Sequence, residues 1–350
     1  MGNELIPWAR SFLAAQVLGA TALPPAFGAN QRRYWRHFGA PRYDWLAHRA
    51  LEAALPVFEF TDADHQRHGA GDVLITFRAF AEEHGLFDRS AYVVATEGMW
   101  GGYGHVAAAR DFVRATLYQS RFAARNLVRI RQQLQPGMPV VGMHIRMGDF
   151  QAATDPTAYR GKFNLSVPLQ WYVGIARSVQ DQLGDQVQFL IASDATSEQL
   201  QPLSQGLRCV VASDMADADC SDILALAAAD MLVCSVSSFS AWAAFLSTAP
   251  YLWYGPNLQC HPEGFHSIWG NEPLQQRPAS PTRRAISAWQ ANGVPFQRGW
   301  AIGGDGAVPA EVVKQALARH QQLDPTADLV QYGVIPIPAH GHTPPNILNP

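Results

Sequence analysis

Charge is scarce in this chain: Asp, Glu, Lys and Arg make up 16% of its 350 residues, the net charge is −3 and the pI is about 6.4. That balance gives no large positive field to meet a nucleic-acid backbone or an anionic membrane, so neither partner is expected. Any anion the protein binds must be met by a local site. Cysteine is scarce as well. Cys209, Cys220, Cys234 and Cys260 lie in one half of the chain without C-x-x-C spacing, which argues against a disulfide framework or a zinc knuckle. The expectation is reduced thiols in a cytoplasmic protein with no metal centre.

Long apolar runs are missing too. None reaches the roughly 20 residues that cross a bilayer, so no transmembrane segment is expected. The stretch SFLAAQVLGATAL after Arg10 has the outline of a signal-peptide core, but Glu4 before it and Gln16 inside it fit an amphipathic helix better. Met1-Gly2 opens like a myristoylation site, yet position 6 is Ile where Ser or Thr is required. No internal repeat is visible, and no G-x-G-x-x-G follows an early strand, which sets a dehydrogenase aside.

What the chain does have is apolar material, 48% of its residues, enough for two domain cores. Residues 5 to 20 read as a helix, RRYWRHF as a basic aromatic stretch, PVFEF as a strand, DVLITFRAFAEEHGLF as strand or helix, and AYVVAT as a strand. Residues 105 to 134 read as one long Arg-rich helical segment ending at the break QPG. That break divides an N-terminal α/β domain, 1–136, from a second domain, 137–275. In the second, strands PVVGMHIRM, QVQFLIASD, LRCVVAS and DMLVCS alternate with helices PLQWYVGIARSVQDQL, SEQLQPL, SDILALAAA and FSAWAAFLS. Alternation of this kind predicts a doubly wound parallel sheet, whose ligands sit at the carboxyl ends of its strands. The extension 276–350 is rich in Pro and Gly, carries one helix, PAEVVKQALARH, and is expected to lie over the surface.

Three strand ends carry candidate chemistry. In VVGMHIRMGDF, residues 140 to 150, Met143 and Ile145 share one face of a strand while His144 and Arg146 share the other. Gly148 ends that strand, so Arg146 sits where a guanidinium can clamp a phosphate through two charge-assisted hydrogen bonds, or pair locally with Asp149. In DMLVCSVSSFSAWAAFLS an apolar strand runs into Ser235, Ser237, Ser238 and Ser240 at the start of a helix. Hydroxyls and backbone N–H groups there suit an anion. A single helix cap accounts for one serine of the four. In FLIASD a strand ends on Ser193 and Asp194, where the carboxylate suits a base edge or ribose, or caps the following helix.

In this order and spacing, H-x-R-x-G-D, S-D and S-S-F-S resemble the donor-binding half of the GT-B fucosyltransferases, a superfamily that includes α-1,2-, α-1,6- and protein O-fucosyltransferases. The run S-S-F-S-A-W-A-A-F-L is most similar to N-S-S-F-S-W-W-G-A-W-L of the α-1,2 family. Gly2-Asn3, ahead of a helix with Pro7-Trp8-Ala9, is similar to the G-N-Q-x-F-x-Y-A turn after the first strand of those enzymes. The resemblance covers roughly residues 138 to 255, and the N-terminal half only at that turn.

It implies two Rossmann-like domains facing across a cleft, a GDP-sugar donor with GDP-fucose foremost, and inverting transfer to a hydroxyl of a glycan acceptor without metal or cofactor. Arg146 would hold the β-phosphate, His144 and Asp194 the guanosine side, and Ser237, Ser238 and Phe239 the pyrophosphate. Gly2 and Asn3 would lie near the donor. The sequence departs from the pattern at Met147, where a second basic residue is usual, and at Ala241-Trp242-Ala243, where an aromatic pair is usual. The strand that normally precedes the G-N turn has no counterpart, so either the first domain lacks it or the chain begins after it.

Inverting transfer also needs a base for the acceptor hydroxyl, for which Asp149, Glu97 and Asp155 are candidates. Glu97 stands at a strand end beside Trp100, Tyr103 and His105, rings suited to stacking on a sugar. Two rival readings remain. Asp62-Ala63-Asp64 after PVFEF has the D-x-D form by which metal-dependent GT-A glycosyltransferases hold a divalent cation, although Asp217-Ala218-Asp219 repeats the pattern in an acidic loop. A nucleotide-sugar or glycan-binding protein would use the same clefts without a base.

Overall fold

The structure, a computed structural model, describes residues 1–28, 33–39, 42–69, 72–98, 104–152, 165–212, 215–258 and 299–321. It is a mixed α/β protein with parallel sheets, divided into two compact units, Met1–Arg121 and Phe122–Pro350. No described helix is long and apolar enough to cross a membrane.

The first unit contains α1 (Leu5–Leu18), α2 (Trp35–Phe38), α3 (Asp44–Ala54), β1 (Val57–Phe60), α4 (Asp62–Arg67), α5 (Val73–Glu83), β2 (Val93–Thr96) and α6 (Arg110–Tyr118). Apolar residues at helical spacing, Leu5, Ile6, Ala9 and Leu13, bury one face of α1, which packs against α5 and β2. The stretch from Asp72, open to either reading from sequence, is a helix because Asp72 accepts the Leu74 amide as its N-cap. Phe60 then meets Phe77 and Phe80 edge to face, each at 5.2 Å. A doubly wound domain was expected here. Among the described residues this unit holds one sheet of two parallel strands, with Val57 opposite Val93 and Phe60 opposite Thr96.

The single helix expected over 105 to 134 is broken. The Arg121 amide donates to the His37 carbonyl at 2.9 Å, outside any helical ladder, and the division between units falls there. The helix that follows, α7 (Ala123–Gln133), belongs to the second unit, so the boundary precedes it where QPG had suggested one after it. Asn126 anchors α7 by donating to the Ala216 carbonyl and the Ser221 hydroxyl.

The second unit continues with β3 (Val140–Ile145), β4 (Gln151–Ala152), β5 (Leu165–Ser166), α8 (Leu169–Leu183), β6 (Gln188–Ser193), α9 (Ser197–Ser204), β7 (Cys209–Val211), α10 (Asp219–Ala228), β8 (Met231–Val233), α11 (Ser238–Leu246), β9 (Tyr251–Tyr254), α12 (Gly255–Leu258), β10 (Gly299–Ile302) and α13 (Ala310–Gln321). Six strands form one parallel sheet in the order β10-β9-β8-β3-β6-β7. Numbered along the chain, that is 6-5-4-1-2-3, the Rossmann order. The chain winds outward from β3 in one direction and from β8 in the other, so the switch point lies between them.

Both faces of the sheet are covered, which is why its central strands are near-continuous apolar runs. On one face Val141, Met143 and Ile145 share a core with Trp171, Ile175 and Val179 of α8 and Val312, Val313 and Ala316 of α13. Each of the Val, Ile and Met side chains contributes ~1.5–3 kcal/mol by leaving water. On the other face α10 packs on β3 and β6, with Leu226 over Gly142. The expectation that the C-terminal extension lies over the surface does not hold for its described part. β10 is an edge strand of the sheet, and the segment is tied to α8 by hydrogen bonds from Trp171 Nε1 to the Gly303 carbonyl and from the Val308 amide to Ser178 Oγ.

Candidate functional site

The switch point brings together the three strand ends singled out from the sequence. β3 lies between β6 and β8, with Ile145 opposite Ser193 and Met143 opposite Val233, so the segments after Ile145, Ser193 and Val233 emerge on one edge of the sheet. There the Arg146 guanidinium spans two carboxylates, Asp149 at 2.7 Å and Asp194 at 2.8 Å, and lies over the Phe150 ring at 5.3 Å. Both sequence readings of Arg146 are therefore relevant: the local pair with Asp149 is formed, at a place where ligands bind in this topology. Asp149 is more than half exposed, whereas Asp194 is partly buried and also accepts the Met147 amide at 2.8 Å.

Asp194 is not the helix cap. Thr196 caps α9, in a reciprocal box with Gln199, which leaves the Asp194 carboxylate to fasten the turn after β3. Gly148 is needed in that turn because a Cβ there would come 2.7 Å from Asp194 Oδ2.

His144 faces the other side of the switch point and is 6% exposed. Its Nδ1 lies 2.8 Å from Ser240 Oγ and 2.9 Å from Ser235 Oγ, its ring stacks on Phe239 at 5.7 Å, and its carbonyl accepts from Tyr172. Burial, reinforced by the Arg146 charge and opposed by Asp194, pulls its pKa down to about 3, so the ring is neutral. The four serines divide their work. Ser237 is the N-cap of α11, accepting the Phe239 amide, while Ser235 and Ser240 hold His144. Ser238 begins the helix. Sequence reasoning missed this clamp between β3 and the β8–α11 turn, although the 2-residue alternation that put His144 on one strand face pointed toward it.

In the first unit, Gly2 and Asn3 form the turn before α1, Gly2 buried and Asn3 exposed. Glu97 follows β2 with its side chain exposed, its amide donating to Phe60 O and its carbonyl accepting from Arg10. Buried Arg10 also pairs with Asp62 at 2.8 Å. Asp64 instead closes the Thr61 capping box and pairs with Arg67. The two carboxylates of the D-x-D pattern thus have separate partners, and no group of three or more His, Cys, Asp or Glu side chains suited to a metal occurs among the described residues. His105 bonds to His65 at 2.9 Å, and His65 to Thr76 at 2.8 Å, so His105 is part of a buried chain. Trp100, Tyr103, Asp155 and Cys260 lie outside the described residues.

Burial also draws the His65 pKa down to about 4, helped by His105 and Arg10. A histidine whose folded pKa lies below its ordinary 6.5 binds fewer protons folded than unfolded, so His65 and His144 destabilise the fold as pH drops below about 6.5. Asp72, raised by burial to about 6, acts in the opposite sense over part of that window. Imidazole NMR titration should find His65 and His144 still neutral at pH ~5.5. Normal titration of either ring would contradict its environment here.

The chain matches no protein-family model, and no curated protein or solved structure is significantly similar to it.

Proposed function

We propose that the protein is an inverting, metal-independent glycosyltransferase of the GT-B kind that moves a sugar, fucose first among candidates, from its GDP carrier to a hydroxyl of a glycan acceptor. The observation that carries the reading is that the Arg146 guanidinium, held by Asp194, and the turn that starts α11, held by His144, both stand at the strand ends of the switch point of a Rossmann-ordered sheet. Ligands of such sheets bind in that crevice, and a helix N-terminus and a guanidinium both favour a diphosphate.

In the reaction the acceptor oxygen attacks the anomeric carbon, the bond from that carbon to the phosphate oxygen breaks, and GDP departs with the electron pair. Arg146 stabilises the charge that gathers on the departing phosphate. Asp194 keeps the guanidinium in place, and the exposed Asp149 is the partner a phosphate displaces. Asp149 and Glu97 are the described candidates for taking the acceptor proton.

A thermal-shift panel of GDP, UDP, ADP and CDP tests the donor. GDP alone is expected to raise the unfolding midpoint, because a ligand at 100 times its Kd stabilises by ~2.7 kcal/mol. Equal shifts with all four, or none with GDP, would remove the GDP-sugar assignment. Repeating any detected transfer with EDTA present separates this reading from the Asp62/Asp64 alternative, which requires loss of activity.

A further inference from the structure

The hydrogen-bond accounts of His144, Ser235 and Ser240 close in only one way. Ser235 and Ser240 are each 1% exposed, so bulk water does not reach their hydroxyls. Besides His144 Nδ1, each hydroxyl has among the described residues one side-chain neighbour, the other hydroxyl at 3.3 Å, and Ser240 Oγ already accepts the Ser235 amide at 2.9 Å. No further partner of either hydroxyl occurs among the described residues.

Two hydroxyl protons must therefore find acceptors among three atoms: Nδ1 and the two oxygens. If Nδ1 carried a proton, it would donate to one serine, that serine to the other, and the last hydroxyl would be buried with no acceptor. Such a group bears the full cost of its desolvation. With Nδ1 bare, Ser240 donates to it, Ser235 donates to Ser240 or shares the nitrogen, and every proton is placed. The neutral ring then carries its hydrogen on Nε2, which has no hydrogen-bond partner among the described residues.

We infer that Ser235 and Ser240 are positioning residues that lock His144 in the Nε2–H tautomer, presenting an uncharged donor to an acceptor atom of the ligand at the switch point. The inference rests on the proposed function for the ligand's identity, but the tautomer itself is a property of the free protein. Burial supports it from a second direction, since a ring held neutral well below physiological pH offers the same single donor throughout the working range. The lock differs from an ordinary buried histidine contact. Here Nδ1 alone meets both serines, which leaves the second nitrogen available.

Nitrogen-15 NMR of the imidazole in the ligand-free wild-type protein decides the tautomer without any variant having to fold. The expected result is a bare Nδ1 and a protonated Nε2. A protonated Nδ1 overturns the inference even if GDP binds. In the double variant Ser235→Ala/Ser240→Ala the tautomers should mix and the affinity for GDP fall about tenfold, the worth of one hydrogen bond. Ser240→Thr, which keeps the hydroxyl, should restore both. An unchanged tautomer and unchanged GDP affinity in a folded double variant would also overturn it. Pyrophosphate titrations locate the acceptor: a parallel loss places it on the phosphates, a loss for GDP alone on the nucleoside. If wild-type protein binds no GDP, the donor assignment fails while the NMR result still stands.

Discussion

Arg146→Ala is expected to lower the rate of sugar transfer by about two to three orders of magnitude, the usual cost of removing a preorganised donor to developing charge. The loss should fall on kcat, since the leaving diphosphate is more charged in the transition state than in the bound donor. Stability should change little. The guanidinium is partly exposed, so its pairs with Asp149 and Asp194 contribute ~1 kcal/mol or less, and the Met147 amide still fastens Asp194 in the variant. Arg146→Lys keeps the charge but loses the planar fork and should fall between the two. Steady-state kinetics at saturating donor, with a melting curve for each variant, provide the check. Turnover like that of the wild type in the alanine variant would remove Arg146 from the chemistry.

The second large effect concerns the C-terminal segment. A methyl group on Gly174 would come 2.2 Å from the Asp305 carbonyl oxygen and 3.3 Å from Gly306 Cα. α8 cannot retreat, because Trp171 and Tyr172 beside Gly174 are fully buried, so the turn at 303–306 must move instead. That turn connects β10 to α13, whose Val312, Val313 and Ala316 complete the core. Gly174→Ala is therefore expected to cost about 3 kcal/mol or more, the upper range for overpacking against a backbone. Urea unfolding should show the drop in midpoint, with a smaller slope if β10 and α13 detach first. A variant as stable as the wild type would mean that the segment is not anchored on α8 in solution.

The strand ends at the candidate site were more legible in the sequence than the framework around them. Alternation along GMHIR correctly separated Met143 and Ile145, which join the core, from His144 and Arg146, which do not share their face. The strand ends at Ser193 and Val233 were readable because parallel strands buried on both faces are unbroken apolar runs. What the four serines do was not readable. Their spacing fits a cap and an anion site alike, and only the approach of β3 shows Ser235 and Ser240 turned to His144. Likewise the sequence offered Asp194 as a cap, while Thr196 does that work.

Strands β9 and β10 went unrecognised, since YLWY and GWAI are four-residue runs with no periodicity to set them apart from a loop. Their identity comes from pairing: Tyr251 lies opposite both Leu232 and Gly299. The break at Gln119 to Phe122 was hidden for a related reason. Helical propensity continues through it, yet the Arg121 amide is taken by the His37 carbonyl, remote in the chain, and not by the preceding turn.

By itself the sequence determined the local quantities: which residues are apolar, which faces of a strand or helix they occupy, and that a guanidinium and a serine-rich helix start each stand at the end of a buried strand. Those follow from side-chain chemistry and the fixed periods of the backbone. The tertiary structure alone decided which strands are neighbours, and hence that β3 and β8 meet at the switch point and that His144 is shared between them. Strand order is set by the joint burial of all six strands and the helices over them, a sum over distant residues that no local pattern contains.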